Sequence, residues 1–231
     1  MKLLSSGDSN AKTKKNLRET VILYLSPSTQ NDKGVNLCPK ASEGCLASCL
    51  FTAGMGAFSN VQQARINKAN YYINDRFTFV MQIRNEIIRK ARRTDGELAV
   101  RLNGTSDIRW ENEGFTDFDG KHYNNLMERF PQVQFYDYTK IANRKDLPKN
   151  YDLTFSYSGA KTFSKYNDIA IKQNMRIAAV FRFEKDIPST FQGMPVIGGD
   201  NSDVRHIEPK AHIVALYAKG KAIKDNSGFV I

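Results

Sequence analysis

From Gly96 onward, short apolar runs alternate with stretches of helical pattern, and this alternation limits the folds open to the chain. The strand-like runs are rich in β-branched and aromatic residues and lie at 21–26, 97–104, 132–139, 151–159, 175–183, 194–200 and 212–220. Helical patterns fall between them, near 119–129, 141–147, 162–174 and 185–191. Strands separated by roughly twenty residues with helices between them are typical of βαβ units and a parallel sheet. We therefore predict an α/β fold, a partial or complete β/α barrel, with a doubly wound open sheet as the alternative.

The first hundred residues divide into a polar arm, a cysteine-bearing loop and two helices. Residues 1–20 are polar and lysine-rich, so we expect an N-terminal arm, and residues 21–231 are expected to form a single domain. Segments 58–70 and 71–93 place apolar residues at helical spacing with basic residues on the other side. No run approaches the ~20 apolar residues of a membrane span, and the start lacks a secretory signal, which predicts a cytoplasmic protein without membrane contact.

The charge balance is strongly basic. Lys and Arg total 34 against 24 Asp and Glu, a formal net charge of +10. A positive field of this size favours polyanions, so a nucleotide or nucleic acid is the expected partner. The alternative interpretation is that the charge serves solubility alone.

Three cysteines stand close together in the segment NLCPKASEGCLASCLFTAGMG, as Cys38, Cys45 and Cys49. A gap of three residues would place Cys45 and Cys49 one helical turn apart, with both sulfurs facing one point. In the cytoplasm, clustered thiols are more often metal ligands than disulfide partners. Thiolates suit a [4Fe–4S] cluster with one open iron, which could bind S-adenosylmethionine, or zinc with a histidine as fourth ligand. Three unligated thiols remain the alternative.

Polar residues follow several of the predicted strands, where a barrel would place its working face. We predict catalytic roles for Asn103, Asp107, Lys140 and Asp200. We predict cofactor-binding roles for Ser156, Ser158, Arg182 and Lys219. The carboxylates of GGDNSDVRHIEP, which are Asp200, Asp203 and Glu208, could bind a divalent ion or form a turn with local ion pairs.

Several segments occur together, in order and over nearly the whole chain. They are SNAKTKKN (9–16), LCPKASEGCLASCL (37–50), LAVRLNGTSD (98–107), QFYDYTK (134–140), LTFSYSG (153–159) and GGDNSDVRHIEPKAHIVALYAKGKA (198–222). As a set they resemble the bacteriophage family gene product 88. The resemblance implies a phage-encoded β/α barrel-like protein, located in the host cytoplasm, with a three-cysteine cluster similar to that of radical SAM enzymes.

These observations lead to one main hypothesis about function and two alternatives. The main hypothesis is a phage metalloprotein, an iron–sulfur, radical SAM-like enzyme that acts on a nucleotide or nucleic acid. The first alternative is a non-enzymatic nucleic-acid-binding protein stabilised by zinc, and the second is a host-takeover protein that binds a host protein. The chain contains no Walker A loop, GxGxxG, HExxH or GxSxG, so common nucleotide hydrolases, dinucleotide enzymes, zinc proteases and serine hydrolases are disfavoured.

Overall fold

The computed structural model describes residues 1–7, 19–94 and 97–231. Its strands are β1 (Leu4–Ser6), β2 (Glu19–Leu23), β3 (Leu98–Arg101), β4 (Phe115–Thr116), β5 (His122–Tyr123), β6 (Gln134–Thr139), β7 (Tyr151–Ser156), β8 (Arg176–Phe181), β9 (Thr190–Phe191), β10 (Met194–Gly198) and β11 (Ile213–Tyr217). Among the described residues, nine of these form one sheet in the order β1-β2-β3-β6-β7-β8-β11-β10-β9. The remaining two, β4 and β5, pair separately as a small hairpin.

The main sheet is mostly parallel. Strands β2, β3, β6, β7, β8, β11 and β10 run in one direction, and only β1 and β9, at the two edges, are antiparallel to their neighbours. The two edge strands do not pair with each other in the described part of the chain, so the sheet is open. The predicted α/β class with a large parallel sheet is confirmed, whereas a closed barrel is not seen.

Five α-helices connect the strands in the described residues. They are α1 (Glu43–Ala47), α2 (Ser59–Asn74), α3 (Arg76–Ala91), α4 (Leu126–Arg129) and α5 (Ser164–Lys172). The break between α2 and α3 occurs at Asp75, whose side chain accepts a hydrogen bond from the Thr78 N–H and caps α3. None of the described helices is long and apolar enough to cross a membrane.

Two predicted helices differ from the structure. Of the helix expected near 119–129, only the single turn α4 forms, and the residues before it form the turn and second strand of the β4–β5 hairpin. Phe115 and Tyr123 stack across this hairpin with ring centroids 5.8 Å apart. Residues 141–147 form turns, with Asp146 in the left-handed region at φ 53°. The turn of helix expected at 185–191 is reduced to a 3₁₀ turn, Glu184–Asp186, followed by β9.

The N-terminus differs from the expected arm at its first residues. Leu3 and Leu4 are fully buried, and β1 pairs with β2. The carboxylate of Glu86 on α3 accepts the backbone N–H groups of Leu3 and Leu4 at 2.9 and 2.8 Å, and Lys68 donates to the Leu3 carbonyl at 2.8 Å. The start of the chain is therefore fixed to the helices, and residues 8–18 of the expected arm lie outside the described residues.

The sheet has one apolar and one ionic face. Alternate strand residues such as Leu23, Val100, Phe135 and Leu153 pack with α2 and α3 in a single apolar cluster. On the opposite face, the segment 199–212 lies against β6 and β7 and forms ion pairs with strand residues. The loops that follow β2, β3, β6 and β7 all lie at the carboxyl ends of the strands, and side chains from both faces of the sheet reach this end.

Candidate functional site

A pocket of about 180 Å³ opens at the carboxyl end of the parallel strands. It is lined by all three cysteines and by four of the predicted polar residues: Asn103, Asp107, Lys140 and Ser156. It is also lined by Pro27, Ala41, Leu46, Ser48, Leu50, Arg101, Gly104, Thr105, Ser106, Tyr138, Thr139 and Phe229. Residues separated by more than one hundred positions in sequence thus share one cavity, which we call the cysteine pocket.

The cysteine loop follows β2 and is held by local hydrogen bonds. Ser42 caps α1 by accepting the Cys45 N–H at 3.3 Å, so Cys45 lies in the first turns of this short helix. The helix ends at Ala47, and Cys49 instead precedes a 3₁₀ turn, with its sulfur accepting the Phe51 N–H at 3.5 Å. The expectation that Cys45 and Cys49 share one continuous helix is therefore wrong, although both line the pocket.

The loop after β3 joins the cysteine loop to the sheet. The Cys38 thiol donates to the Thr105 carbonyl at 3.8 Å, and the Thr105 hydroxyl contacts the Leu25 carbonyl at 2.5 Å. The Asn103 side-chain oxygen accepts from Ser106, Ile108 and Trp110, and its amide nitrogen donates to the Ile108 carbonyl at 2.9 Å. Since the oxygen and the nitrogen of its side-chain amide both form hydrogen bonds within the loop, Asn103 fixes the conformation of this wall of the pocket.

Lys140 brings a buried positive charge to the pocket at the end of β6. Its ammonium group donates to the carbonyls of Ser156 and Tyr157 at 3.0 and 3.4 Å, and the rings of Phe163 and Phe229 lie 5.0 Å from it. The Asp107 carboxylate accepts the Lys140 backbone N–H at 2.8 Å. Burial lowers the pKa of Lys140, and the nearby Cys45 and Asp107 act in the opposite direction.

Burial dominates the electrostatics of the thiols. It raises the pKa of Cys38 to about 12 and also raises the pKa of Cys45 and of Cys49, because a thiolate is poorly solvated there. The positive charge of Lys140 opposes this shift at Cys45. The pKa of all three thiols is raised despite the nearby cations, so the thiols stay protonated at neutral pH and a metal bound by them must displace protons.

Arg101 enters the pocket from the ionic face. Its guanidinium lies 2.6 Å from the Asp203 carboxylate and 4.7 Å from the centroid of the Tyr138 ring. The Tyr138 hydroxyl donates to the second Asp203 oxygen at 3.0 Å. The Arg101 Nε has no hydrogen-bond partner among the described residues. The segment 199–212 therefore supplies the counter-ion of a cation that lines the pocket.

Four predicted site residues lie outside the cysteine pocket. Asp200 and Lys219 pair with each other at 2.6 Å, beyond the ends of β10 and β11. Arg182 donates to the carbonyls of Ile223 and Asp225, both at 2.6 Å, and so holds the C-terminal segment. Ser158 is fully buried, and its carbonyl accepts from Asn167 at 2.7 Å. These four residues are therefore not among the described residues that line the pocket.

The three carboxylates near residue 200 also have separate partners. Asp203 pairs with Arg101, and Glu208 pairs with Arg205 at 2.7 Å. Among the described residues, no three His, Cys, Asp or Glu side chains are arranged around a point as ligands of one metal ion. In the described part of the chain, the expected local ion pair forms only at Glu208, because Asp203 and Asp200 pair with residues distant in sequence. The cysteines share a pocket without forming a ready-made single-ion site.

Phe229 is a pocket residue that sequence reasoning missed. It belongs to the C-terminal segment, which packs on α1 so closely that a Cβ added to Gly44 would lie 2.1 Å from the Ser227 hydroxyl and 2.4 Å from the Phe229 Cβ. Asp225 fixes this segment by accepting from Ser227 at 2.7 Å and from the Val230 N–H at 3.0 Å. The only sequence signal was the glycine directly before Cys45, which permits this close approach.

Comparison with known proteins identifies the family of the chain. No curated protein and no solved structure matches it. The family model described as Gene product 88 matches residues 2–231. Since the match extends over nearly the full sequence, the chain belongs to the bacteriophage gene product 88 family.

Proposed function

We propose that this protein is an iron–sulfur enzyme of the radical type that acts on a nucleotide or nucleic acid. One observation carries the proposal: Cys38, Cys45 and Cys49 line a single pocket with the polar residues predicted for the same site. The pocket lies at the carboxyl end of parallel strands, which is where α/β proteins commonly bind ligands.

The donor set fits an iron–sulfur cluster better than a structural zinc ion. The chain has three cysteines, and none of its three histidines, all within the described residues, lines the pocket, so a Cys₃His site lacks its fourth ligand. A four-iron cluster distributes three thiolates over three different irons and leaves the fourth iron open. When bound, such a cluster would supply one-electron chemistry to S-adenosylmethionine or to a substrate at the open iron.

The surrounding residues support a negatively charged group in the pocket. Lys140 places an ammonium near Cys45, and two carbonyl acceptors hold it there. Arg101 lines the same pocket with its Nε unpaired among the described residues. In a buried setting these cations offset the charge of thiolates and attract anionic groups of a substrate. We assign Asp107 and Asn103 positioning roles, since they hold Lys140 and the β3 loop.

Metal and sulfide analysis of protein purified without oxygen tests the proposal. We expect a brown protein that absorbs near ~400 nm with roughly four irons and four sulfides per chain. The Cys45→Ser variant should lose most of this iron, because one of three ligands is removed. Met55→Ser is the matched control, since Met55 is 64% exposed and lies in the same segment outside the pocket.

Two outcomes would contradict the proposal. One is a colourless protein with about one zinc per chain, which would indicate a structural site. The other is a Cys45→Ser chain that keeps the iron content of the wild type. If iron is bound as expected, cleavage of S-adenosylmethionine by the reduced protein tests the enzymatic part separately.

A further inference from the structure

A second concave surface lies between the edge strand β1 and helix α3, and we call it the edge groove. Its first half is lined by Lys2, Leu4, Glu86, Arg89, Lys90 and Arg93 and encloses about 310 Å³. Its second half shares Lys2, Glu86 and Arg89 with the first, encloses about 520 Å³ and extends to Tyr71 and Phe118. The shared residues make the two halves one continuous groove.

The first half of the edge groove is strongly basic. Lys2, Arg89 and Arg93 are exposed and form no ion pair with a described residue, whereas Lys90 pairs with Glu19. Of the described residues that line this half, Glu86 alone is acidic, and both of its carboxylate oxygens accept backbone N–H groups from the start of the chain. Within the described part of the chain, three cations are therefore left to meet an anionic ligand, and the guanidinium fork of arginine matches the oxygens of a phosphate group in a bidentate contact.

The second half of the edge groove ends at an exposed aromatic ring. Phe118 is 74% exposed and lies in the turn of the β4–β5 hairpin. The buried Asp117 fixes this turn by pairing with Arg84 on α3 at 3.0 Å and with Arg129 at 2.7 Å, and it accepts the Phe118 N–H at 2.7 Å. The Arg84 guanidinium lies 5.6 Å from the Phe118 ring centroid, so one ring face is supported and the ring is held outward.

The edge groove is separate from the cysteine pocket. Arg93 lies between the end of α3 at Ala91 and the start of β3 at Leu98, so it lies toward the amino ends of the parallel strands. Lys90 likewise pairs with Glu19, the first residue of β2. The cysteine pocket lies at the carboxyl ends, on the order of 15 Å away for strands of this length. The two sites share none of the described lining residues.

We propose that the edge groove binds single-stranded nucleic acid. The phosphates contact Lys2, Arg89 and Arg93, and an unpaired base stacks on Phe118. A basic track with an aromatic platform is the arrangement by which proteins bind single strands without sequence preference. A base pair within a duplex would not present its face to Phe118, and a membrane surface would require a broad apolar face rather than one raised ring beside a concave basic groove. The assignment does not depend on what the cysteine pocket holds.

Fluorescence anisotropy with a labelled 20-nucleotide single-stranded DNA of mixed sequence, on the full chain at several salt concentrations, tests the edge groove. Arg89→Glu/Arg93→Glu should weaken binding about tenfold or more and reduce the slope of log affinity against log salt by about 1–2. Phe118→Ala should weaken binding by about 5- to 100-fold with the salt slope unchanged, since stacking is not ionic. Circular dichroism melts verify that each variant remains folded.

A matched control uses the opposite end of the molecule. Lys221 and Lys224 are exposed beside the cysteine helix α1 and form no ion pair with a described residue, so Lys221→Glu/Lys224→Glu makes the same change in net charge. Its affinity should stay within about threefold of the wild type. Equal weakening by both double variants would mean that net charge alone drives binding, and this would overturn the proposal.

Other results distinguish the remaining occupants and the two sites. Wild-type chain that fails to bind the oligonucleotide at low salt, or that binds anionic phosphatidylserine vesicles through Arg89 and Arg93 instead, would overturn the proposal. A Cys45→Ser chain that loses its iron but binds the oligonucleotide normally would support two separate sites. If the folded Cys45→Ser chain no longer binds the oligonucleotide, the oligonucleotide binds at the cysteine pocket, and the proposed role of the edge groove is wrong.

Discussion

The two faces of the main sheet are built from alternate residues of the same strands, yet different forces hold them. On the helix-covered face, side chains such as Val100 and Phe135 pack in an apolar cluster. On the other face, Arg101 and Arg176 pair with Asp203 and Asp152 at 2.6 and 2.5 Å. The apolar face therefore holds the strands to the helices, while the ionic face fastens the segment 199–212 and links it to the cysteine pocket through Arg101.

The largest effect is expected on the apolar face. Phe135 on β6 is fully buried, so Phe135→Ala leaves a cavity that should cost about 3–5 kcal/mol of unfolding free energy. In a chain of 231 residues this lowers the melting temperature by roughly 10 °C. Phe183→Ala is the control, because Phe183 is 50% exposed and its loss should stay within about 0.5 kcal/mol. Equal losses in the two variants, measured by urea unfolding, would show that the helix-covered face does not dominate stability.

A smaller effect is expected on the ionic face. Arg101→Met leaves the Asp203 carboxylate without its ion-pair partner and should cost about 2–3 kcal/mol. Adding Asp203→Leu in the same chain removes the stranded charge and should recover part of this loss, with a coupling energy of about 1–3 kcal/mol between the two sites. A double-mutant cycle in urea measures it.

The surface pair of Lys219 and Asp200 provides the control for this cycle. Lys219 is 53% exposed, so Lys219→Met should cost less than about 1 kcal/mol and show little coupling to Asp200. If the Arg101 and Asp203 substitutions were simply additive, the ion pair would not fasten the segment 199–212, and the contrast between the two faces would fail.

The parallel strands could be predicted from sequence because buried strands leave dense apolar runs. The β4–β5 hairpin was missed, although Asp119 and Gly120 are a turn signal and Gly120 has φ 80°. The apolar residues around this turn also fit a helical spacing, and the stacking of Phe115 on Tyr123 decided between the two. The predicted helix at 141–147 failed for a tertiary reason, since Arg144 turns inward to ion-pair with Glu111.

The cysteine pocket was half predictable. The carboxyl ends of parallel strands converge, so Asn103, Asp107, Lys140 and Ser156 could be assigned to one place with the cysteines. The pairing of Asp200 with Lys219 could not be foreseen, because it depends on how far the loops beyond β10 and β11 extend past the sheet. Phe229 was equally hidden, since only the folded C-terminal segment brings it to α1.

One carboxyl group interrupts the apolar face of the sheet. Asp137 on β6 accepts from the Asn103 N–H at 2.7 Å and from the Tyr151 hydroxyl at 2.9 Å, and it has no direct ion pair among the described residues. Burial raises the pKa of Asp137 to about 7, because the carboxylate is poorly solvated between sheet and loop. The carboxyl group is therefore partly protonated at neutral pH.

The pH dependence of stability follows from this raised pKa. Below pH ~4 the carboxyl is protonated in both the folded and the unfolded chain, so it contributes no penalty. As pH rises from about 4 toward 7, the unfolded chain ionises first and the contribution of Asp137 to stability falls, and above the folded pKa this loss is constant.

Asp137→Asn keeps an acceptor for Asn103 and removes the titration. Its unfolding free energy should therefore lie within about 1 kcal/mol of the wild type near pH 4 and gain on it up to pH 7. Urea unfolding curves at four pH values measure the difference in unfolding free energy between the two proteins. If the unfolding free energies of the two proteins change in parallel with pH, Asp137 is ionised in the folded chain. The apolar face would then tolerate a charge as the ionic face does.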